Sequence, residues 1–229
     1  MDDQKAPVIL CQHISKHYGE GSTRCVALTD VSLAIYPGEL RLLMGPSGSG
    51  KTTLISIMAG ILTQDSGICL INNHDLNQLS DQEKVHYRGK HLGFVFQAFN
   101  LVPSLTNEEN ISIPLLLQGI ARKEALAKAN MLMSEFGMAD KIGTYPTELS
   151  GGQQQRIAIA RALIHTPQIV VCDEPTSFLD HVTGQKIMEI LKEMTRKKNV
   201  TIVVVTHDPR IVPFADKIDY LEDGKIVNR

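Results

Sequence analysis

Lys51 and Thr52 stand directly after the last glycine of Gly45, Pro46, Ser47, Gly48, Ser49 and Gly50. An apolar run (Leu40, Leu42, Leu43, Met44) precedes this stretch and a helical-looking one (Thr53, Leu54, Ile55, Ile57, Met58) follows it. Strand, glycine-rich loop and helix in that order make a phosphate cradle. Gly48 and Gly50 leave backbone N–H groups free to converge on phosphate oxygens at a helix N-terminus, where Lys51 neutralises charge and Thr52 offers a hydroxyl to Mg²⁺. A plain strand-to-helix turn needs glycine but has no use for an amine and a hydroxyl placed there.

A second chemical cluster lies at the ends of other apolar runs. Ile169, Val170, Val171 and Cys172 lead into Asp173 and Glu174, and two carboxylates at the tip of a buried strand are costly unless they serve something. Asp173 suits a role beside Thr52 in holding Mg²⁺, and Glu174 suits a general base that polarises water. The Leu92 to Phe96 run delivers Gln97, and the Val200 to Val205 run ends near His207. Both are placed to reach a terminal phosphate, Gln97 through metal or water and His207 by hydrogen bond. Taken singly, each has a plain structural reading; beside the phosphate loop and the carboxylates the chemical one prevails. Ser150, Gly151, Gly152 and Gln153 open a helix-forming run (Gln155 to Leu163) with capping-box spacing, giving a second exposed helix N-terminus. Tyr18 ends an early strand, where its ring is placed to stack on a nucleobase.

These residues need a scaffold, and the chain supplies one. Its 229 residues suffice for a single domain with a sizeable core, and 43% hydrophobic content fits a globular protein. No apolar run approaches the ~18 residues of a membrane span. The opening MDDQKAPVIL lacks the apolar core of a signal peptide, so a cytoplasmic protein is expected. A net charge of −2 and a pI near 6.4 give no basic field for nucleic acid. Cys11, Cys25, Cys69 and Cys172 show no Cys-x-x-Cys spacing and sit in apolar surroundings, predicting buried, reduced thiols.

Strand-like alternation before residue 40 (Val8, Leu10; Val31, Leu33, Ile35, with a turn cluster from Gly19 to Ser22) predicts an antiparallel platform. Another strand is expected at Gly67 to Ile71. After Gln97 the periodicity turns helical: Thr106 and Glu109 have capping-box spacing, and Leu126, Ala129, Met133 and Phe136 mark a further helix face. Ile187, Ile190, Leu191 and Met194 give a last stripe, and Asp223-Gly224 reads as the turn of a closing hairpin. The expectation is an α/β fold with a mostly parallel sheet, an N-terminal antiparallel β subdomain and an inserted helical subdomain. Residues 97–153 form that insertion; 1–96 and 154–229 form the nucleotide-binding core.

Leu149, Ser150, Gly151, Gly152 and Gln153 spell LSGGQ, which resembles the signature of ATP-binding-cassette (ABC) ATPases and lies in that family's order between Gln97 and Asp173-Glu174. Tyr18 resembles the family's adenine-stacking aromatic, Gln97 its Q-loop, Ser177 to Asp180 its D-loop and His207 its switch histidine. The resemblance covers almost the whole chain. It implies ATP as substrate and a head-to-tail homodimer, in which ATP on the Gly45 to Thr53 loop of one copy is closed over by Ser150, Gly151 and Gly152 of the other. One copy of each motif per chain agrees with sites shared between chains. Two positions depart from the pattern: Phe178, where the family has a small residue or Asn, and Cys172, where it has an aliphatic one.

Asn100 to Leu117 resembles the ATPases of lipoprotein-release, macrolide-export and heterocyst-glycolipid-export systems, and Thr206 to Ile226 is most similar to the last. That likeness implies a separate integral membrane permease with a large extracytoplasmic domain, sometimes a periplasmic adaptor, gripped by the segment from Gln97 to Pro114. The ATPase would then lie on the inner face of the membrane. An alternative is a regulatory or mechanical ATPase acting on a membrane partner without transport. A DNA-repair or translation ATPase fits less well: Gln97 to Leu149 is short and lacks heptads, and there is no second cassette.

Overall fold

The computed structural model describes residues 6–19 and 21–227. Met1 to Lys5 of the opening and Glu20 of the early turn cluster lie outside them.

Among these residues a six-stranded sheet runs β10-β9-β3-β8-β7-β6. Its strands are β3 (Leu40–Met44), β6 (Leu92–Val95), β7 (Ile169–Asp173), β8 (Thr201–Thr206), β9 (Lys217–Glu222) and β10 (Lys225–Val227). All pair in parallel except the β9/β10 hairpin. A four-stranded antiparallel sheet, ordered β2-β1-β4-β5, holds β1 (Ile9–Tyr18), β2 (Cys25–Ile35), β4 (Ser66–Ile71) and β5 (His74–Asp75). The α/β architecture and both sheets match the expectation.

Alternation along the parallel strands explains how one sheet holds two cores. Leu42, Val170, Cys172, Ile202 and Val204 face the core built with α3 (Asn107–Leu117), α4 (Arg122–Glu135), α5 (Gly151–Leu163) and α6 (His181–Lys198). Leu43, Ile169, Val171, Val203 and Val205 face the other, against α1 (Lys51–Met58) and the antiparallel sheet. β3, β7 and β8 are buried on both sides, as the apolar runs of β7 and β8 require, and the one charge within β3, Arg41, is paired with Asp219. Each fully buried aliphatic side chain contributes roughly 1.5–3 kcal/mol.

The inserted helices follow their signals closely. Thr106 caps α3 reciprocally: its hydroxyl accepts from Glu109 N, and the Glu109 carboxylate accepts from Thr106 N at 2.9 Å. Fully buried Asn110 ties down the preceding loop, accepting from Val102 N and donating to the carbonyls of Val102, Leu105 and Thr106. In α4 the buried face is Ala125, Ala129, Leu132 and Met133, with Phe136 just beyond, so Ala125 takes the place expected for Leu126, which is half-buried.

Two features depart from the sequence reading. Helix α2 (Asp81–His91) carries no buried residue, so it has no apolar stripe to reveal it; its mark is the Ser80/Glu83 capping box. The cysteines are all free, but Cys25 is exposed where burial was expected. Cys11 and Cys69 are cross-strand neighbours with sulfurs 3.6 Å apart, a meeting no sequence spacing announces. Their contact, together with burial, raises the Cys11 thiol pKa well above its ordinary value.

Candidate active site

The parallel registers bring four strand ends to one edge of the sheet. Met44 pairs with Thr206, Asp173 with Val205, and Val95 with Cys172. Gly45, His207, Glu174 and Gln97 therefore all leave the sheet at its carboxyl end, where ligands of open α/β sheets bind. β8 lies between β3 and β7, so Thr206 and His207 leave the sheet between the strands that lead to the glycine loop and to the carboxylates.

Gly50 caps α1 with φ of 98°, and Gly48 sits at 81° with open space where a Cβ would be. Both backbones are ones that side-chain-bearing residues rarely adopt. Gly45 is closed in instead: a Cβ there would run into the carbonyl oxygen of Leu221 on β9. Buried Lys51 folds back over the loop, its Nζ donating to the carbonyls of Gly45 at 2.8 Å and Pro46 at 2.7 Å. Burial pulls its pKa down, while Glu174 and then Asp173 pull it up.

Thr52 Oγ1 is 3.5 Å from each carboxylate oxygen of Asp173, at the outer limit of a hydrogen bond. Burial and then the Glu174 charge raise the Asp173 pKa, against the opposing pull of Thr52 and Lys51. An amine and a carboxylate both pushed toward neutrality would be relieved by a polyanion arriving with its cation. The hydroxyl and carboxylate are hard oxygen donors, the set that suits Mg²⁺.

Glu174 is the most constrained group of the site. Its φ is 47°, a left-handed backbone uncommon for a residue with a side chain, and its carboxylate is almost buried. Oε1 lies 2.7 Å from His207 Nδ1, and Oε2 accepts from the Thr206 hydroxyl at 3.3 Å. That hydroxyl accepts in turn from Asp208 N at 2.9 Å. A carboxylate held this way beside a cation-binding pair can take a proton from water. Thr206 was missed in the sequence; its one signal is its place at the end of an apolar strand, just before His207.

The other expected residues divide. Tyr18, 44% exposed, ends β1 with its hydroxyl 3.4 Å from Thr53 Oγ1, which sets its ring beside the phosphate loop. Gln97 is exposed two residues beyond β6. Asp180 caps α6, accepting from Thr183 N at 3.0 Å and from the Thr183 hydroxyl at 2.6 Å, and these hydrogen bonds lower its pKa. Exposed Ser150 caps α5 and accepts from Gln153 N, while Gln153 Oε1 accepts from Ser150 N at 2.9 Å. Among the described residues Leu149 to Gln153 share no hydrogen bond with the glycine loop, Asp173 or Glu174.

Fold and site together define a P-loop nucleoside-triphosphatase core with an inserted helical segment. The family described as ABC transporter matches residues 28–177, and the chain belongs to it. It is an ATP-binding, ATP-hydrolysing cassette of the transport class. Among its relatives, the lipoprotein-releasing system ATP-binding protein LolD of Legionella pneumophila (strain Paris) is 38% identical over 97% of this chain and 98% of that protein. The macrolide export ATP-binding/permease protein MacB of Neisseria gonorrhoeae is 38% identical over 96% of this chain, which spans 34% of that longer protein. A solved dimer of the ATP-binding cassette MJ0796, in a post-hydrolysis state bound to ADP and Pi, superposes with a TM-score of 0.89 at 39% identity, covering 96% of this chain and 97% of that one. The nucleotide-binding and export-group expectations are thereby met.

Proposed function

We propose that two copies of this chain enclose ATP head to tail and use its hydrolysis to drive a membrane-embedded permease. The observation that carries the reading is the division of the site: Lys51, Thr52, Asp173 and Glu174 meet within the chain, whereas among the described residues the Ser150 helix start shares no hydrogen bond with them. In this reading backbone N–H groups from Gly45 to Thr53, with Lys51, hold the phosphates, and Tyr18 stacks on the base. Thr52, Asp173 and Gln97 would hold Mg²⁺, which would neutralise charge on the phosphates. Glu174 takes a proton from the attacking water as the bond to the terminal phosphorus forms and ADP leaves, and His207 fixes the carboxylate and reaches the phosphate. Leu149 to Gln153 of the second copy close over the terminal phosphate, and Asp180 lines the contact between copies. Losing that phosphate loosens the pair, so ATP state becomes dimer geometry.

No described helix is long and apolar enough to cross a membrane, and in this reading the membrane-embedded part is the permease. An apolar groove of about 500 Å³ between α2, β6 and the ends of α3 and α5, lined by Val85, Phe94, Pro114 and Leu117, is the surface for it. Leu117 is 83% exposed and Val85 60%, an apolar edge that a buried helix of the permease would cover. In this reading the permease carries a large extracytoplasmic domain and can work with a periplasmic adaptor, and this chain lies on the inner membrane face. Residues 97–153 serve as the helical subdomain between the two. The test is the mass in solution of Glu174→Gln by light scattering: dimer with ATP and monomer with ADP is expected, and monomer with both would remove the shared-site reading.

A further inference from the structure

Phe178 is the residue that departs from the family's pattern in the segment after Glu174, and its surroundings give it work. Its ring meets that of Phe99 edge to face, centroids 6.2 Å apart at 67°. Phe99 lies two residues beyond Gln97, and Phe178 four beyond Glu174. The first residue of α5 adjoins both: a Cβ built on Gly151 would lie 3.6 Å from the Phe178 carbonyl oxygen and 3.8 Å from Phe99 Cζ. Three segments that supply the site therefore touch at one point.

Each segment is stiff up to that point. Phe99 and Asn100 take left-handed backbones (φ 61° and 48°), and their carbonyls accept from Arg161 Nη2 at 2.8 Å and Nη1 at 2.6 Å. Arg161 belongs to the last turn of α5, so the helix that begins at Gly151 also clamps the turn that follows Gln97. On the other side, Ser177 N and Oγ both donate to the Glu174 carbonyl, at 3.2 and 3.0 Å, and Leu179 N donates to Thr176 O at 3.1 Å. Two rigid turns joined by a ring contact transmit a displacement that two loose loops would absorb.

We infer that Phe99 and Phe178 are positioning residues that make the Gln97 turn, the Glu174 turn and the Ser150 helix start move as one during ATP hydrolysis. The inference rests on the site reading proposed above. Neither ring touches nucleotide; the pair acts by keeping Gln97 and Glu174 in step, so it affects turnover rather than ATP affinity.

A double-mutant cycle on the purified full chain tests this. Phe178→Ala, at a position 61% exposed, should leave the melting temperature and the KM for ATP near the parent's and lower kcat about fivefold, with Phe178→Tyr restoring it. Phe99→Leu and Phe178→Leu should each lower kcat, and the double variant should be no worse than the worse single, a coupling of about three- to tenfold. Additive losses, or parent-like kcat in Phe178→Ala, would overturn the inference. Gln97→Ala and Ser150→Arg run alongside. Should both keep full turnover, the site reading falls and this inference with it; should both lose turnover while the aromatic pair proves additive, only the coupling falls.

Discussion

The two regions that the proposed function assigns to one phosphate are built in opposite ways. Around Glu174 everything is finished inside the chain: a left-handed backbone, a nearly buried carboxylate, and partners on both oxygens from His207 and Thr206. At Ser150 the exposed side chain serves only to cap its own helix, whose first residues, Gly151 and Gly152, are half-buried. In the proposed reading the contrast separates a preorganised half, which would hold and cut, from a half whose N–H groups would meet a ligand carried by another molecule.

The contrast can be broken at either side. The largest effect belongs to Glu174→Gln: kcat should fall roughly 10²- to 10⁴-fold with ATP binding kept, measured by phosphate release and calorimetry. Ordinary turnover in that variant would take the base role from Glu174. Ser150→Arg should also abolish turnover, and mixing it with inactive Lys51→Ala should return part of it, because one composite site then keeps two intact faces. Failure to recover activity at every mixing ratio would place both halves within one chain. Thr206→Val sharpens the picture by loosening Glu174 without removing it: kcat should drop about tenfold, and stability by about 1–3 kcal/mol because the Asp208 N–H loses its acceptor. A chemical denaturation curve and steady-state rates read both, and an unaltered kcat would show that His207 alone orients the carboxylate. Smallest is Cys172→Val in the buried face of β7, where a near-isosteric swap should cost less than about 1.5 kcal/mol and leave kcat alone. A large loss of activity there would mean that the thiol takes part in the site.

The sequence made the preorganised half legible because its chemistry sits at strand ends, where an apolar run stops on a charged or polar residue. Asp173, Glu174 and His207 follow that rule, Lys51 and Thr52 follow the glycine loop that leaves β3, and parallel register gathers the strand ends. Capping spacing likewise announced α3 and α5 at Thr106 and Ser150. Helix α2 escaped because a polar helix has no period to detect, although Ser80 and Glu83 carried the same capping signal. Contacts made only by folding left no trace: the Cys11–Cys69 neighbourhood across β1 and β4, the Arg161 clamp on Phe99 and Asn100, and the Thr206 hydroxyl on Glu174. Phe178 was visible as a departure, but its partner Phe99 was not.

Gly224, in the turn of the β9/β10 hairpin, accepts from Thr29 N at 2.8 Å and donates to Ser49 O at 3.1 Å, while Leu221 walls in Gly45. The ribosome makes the phosphate loop before it makes this brace. A nascent chain thus carries the whole glycine motif for some 170 residues of synthesis without the strand that gives it shape, at ~5–20 residues per second. The final shape of the loop is thereby deferred until β9 and its hairpin turn have been made.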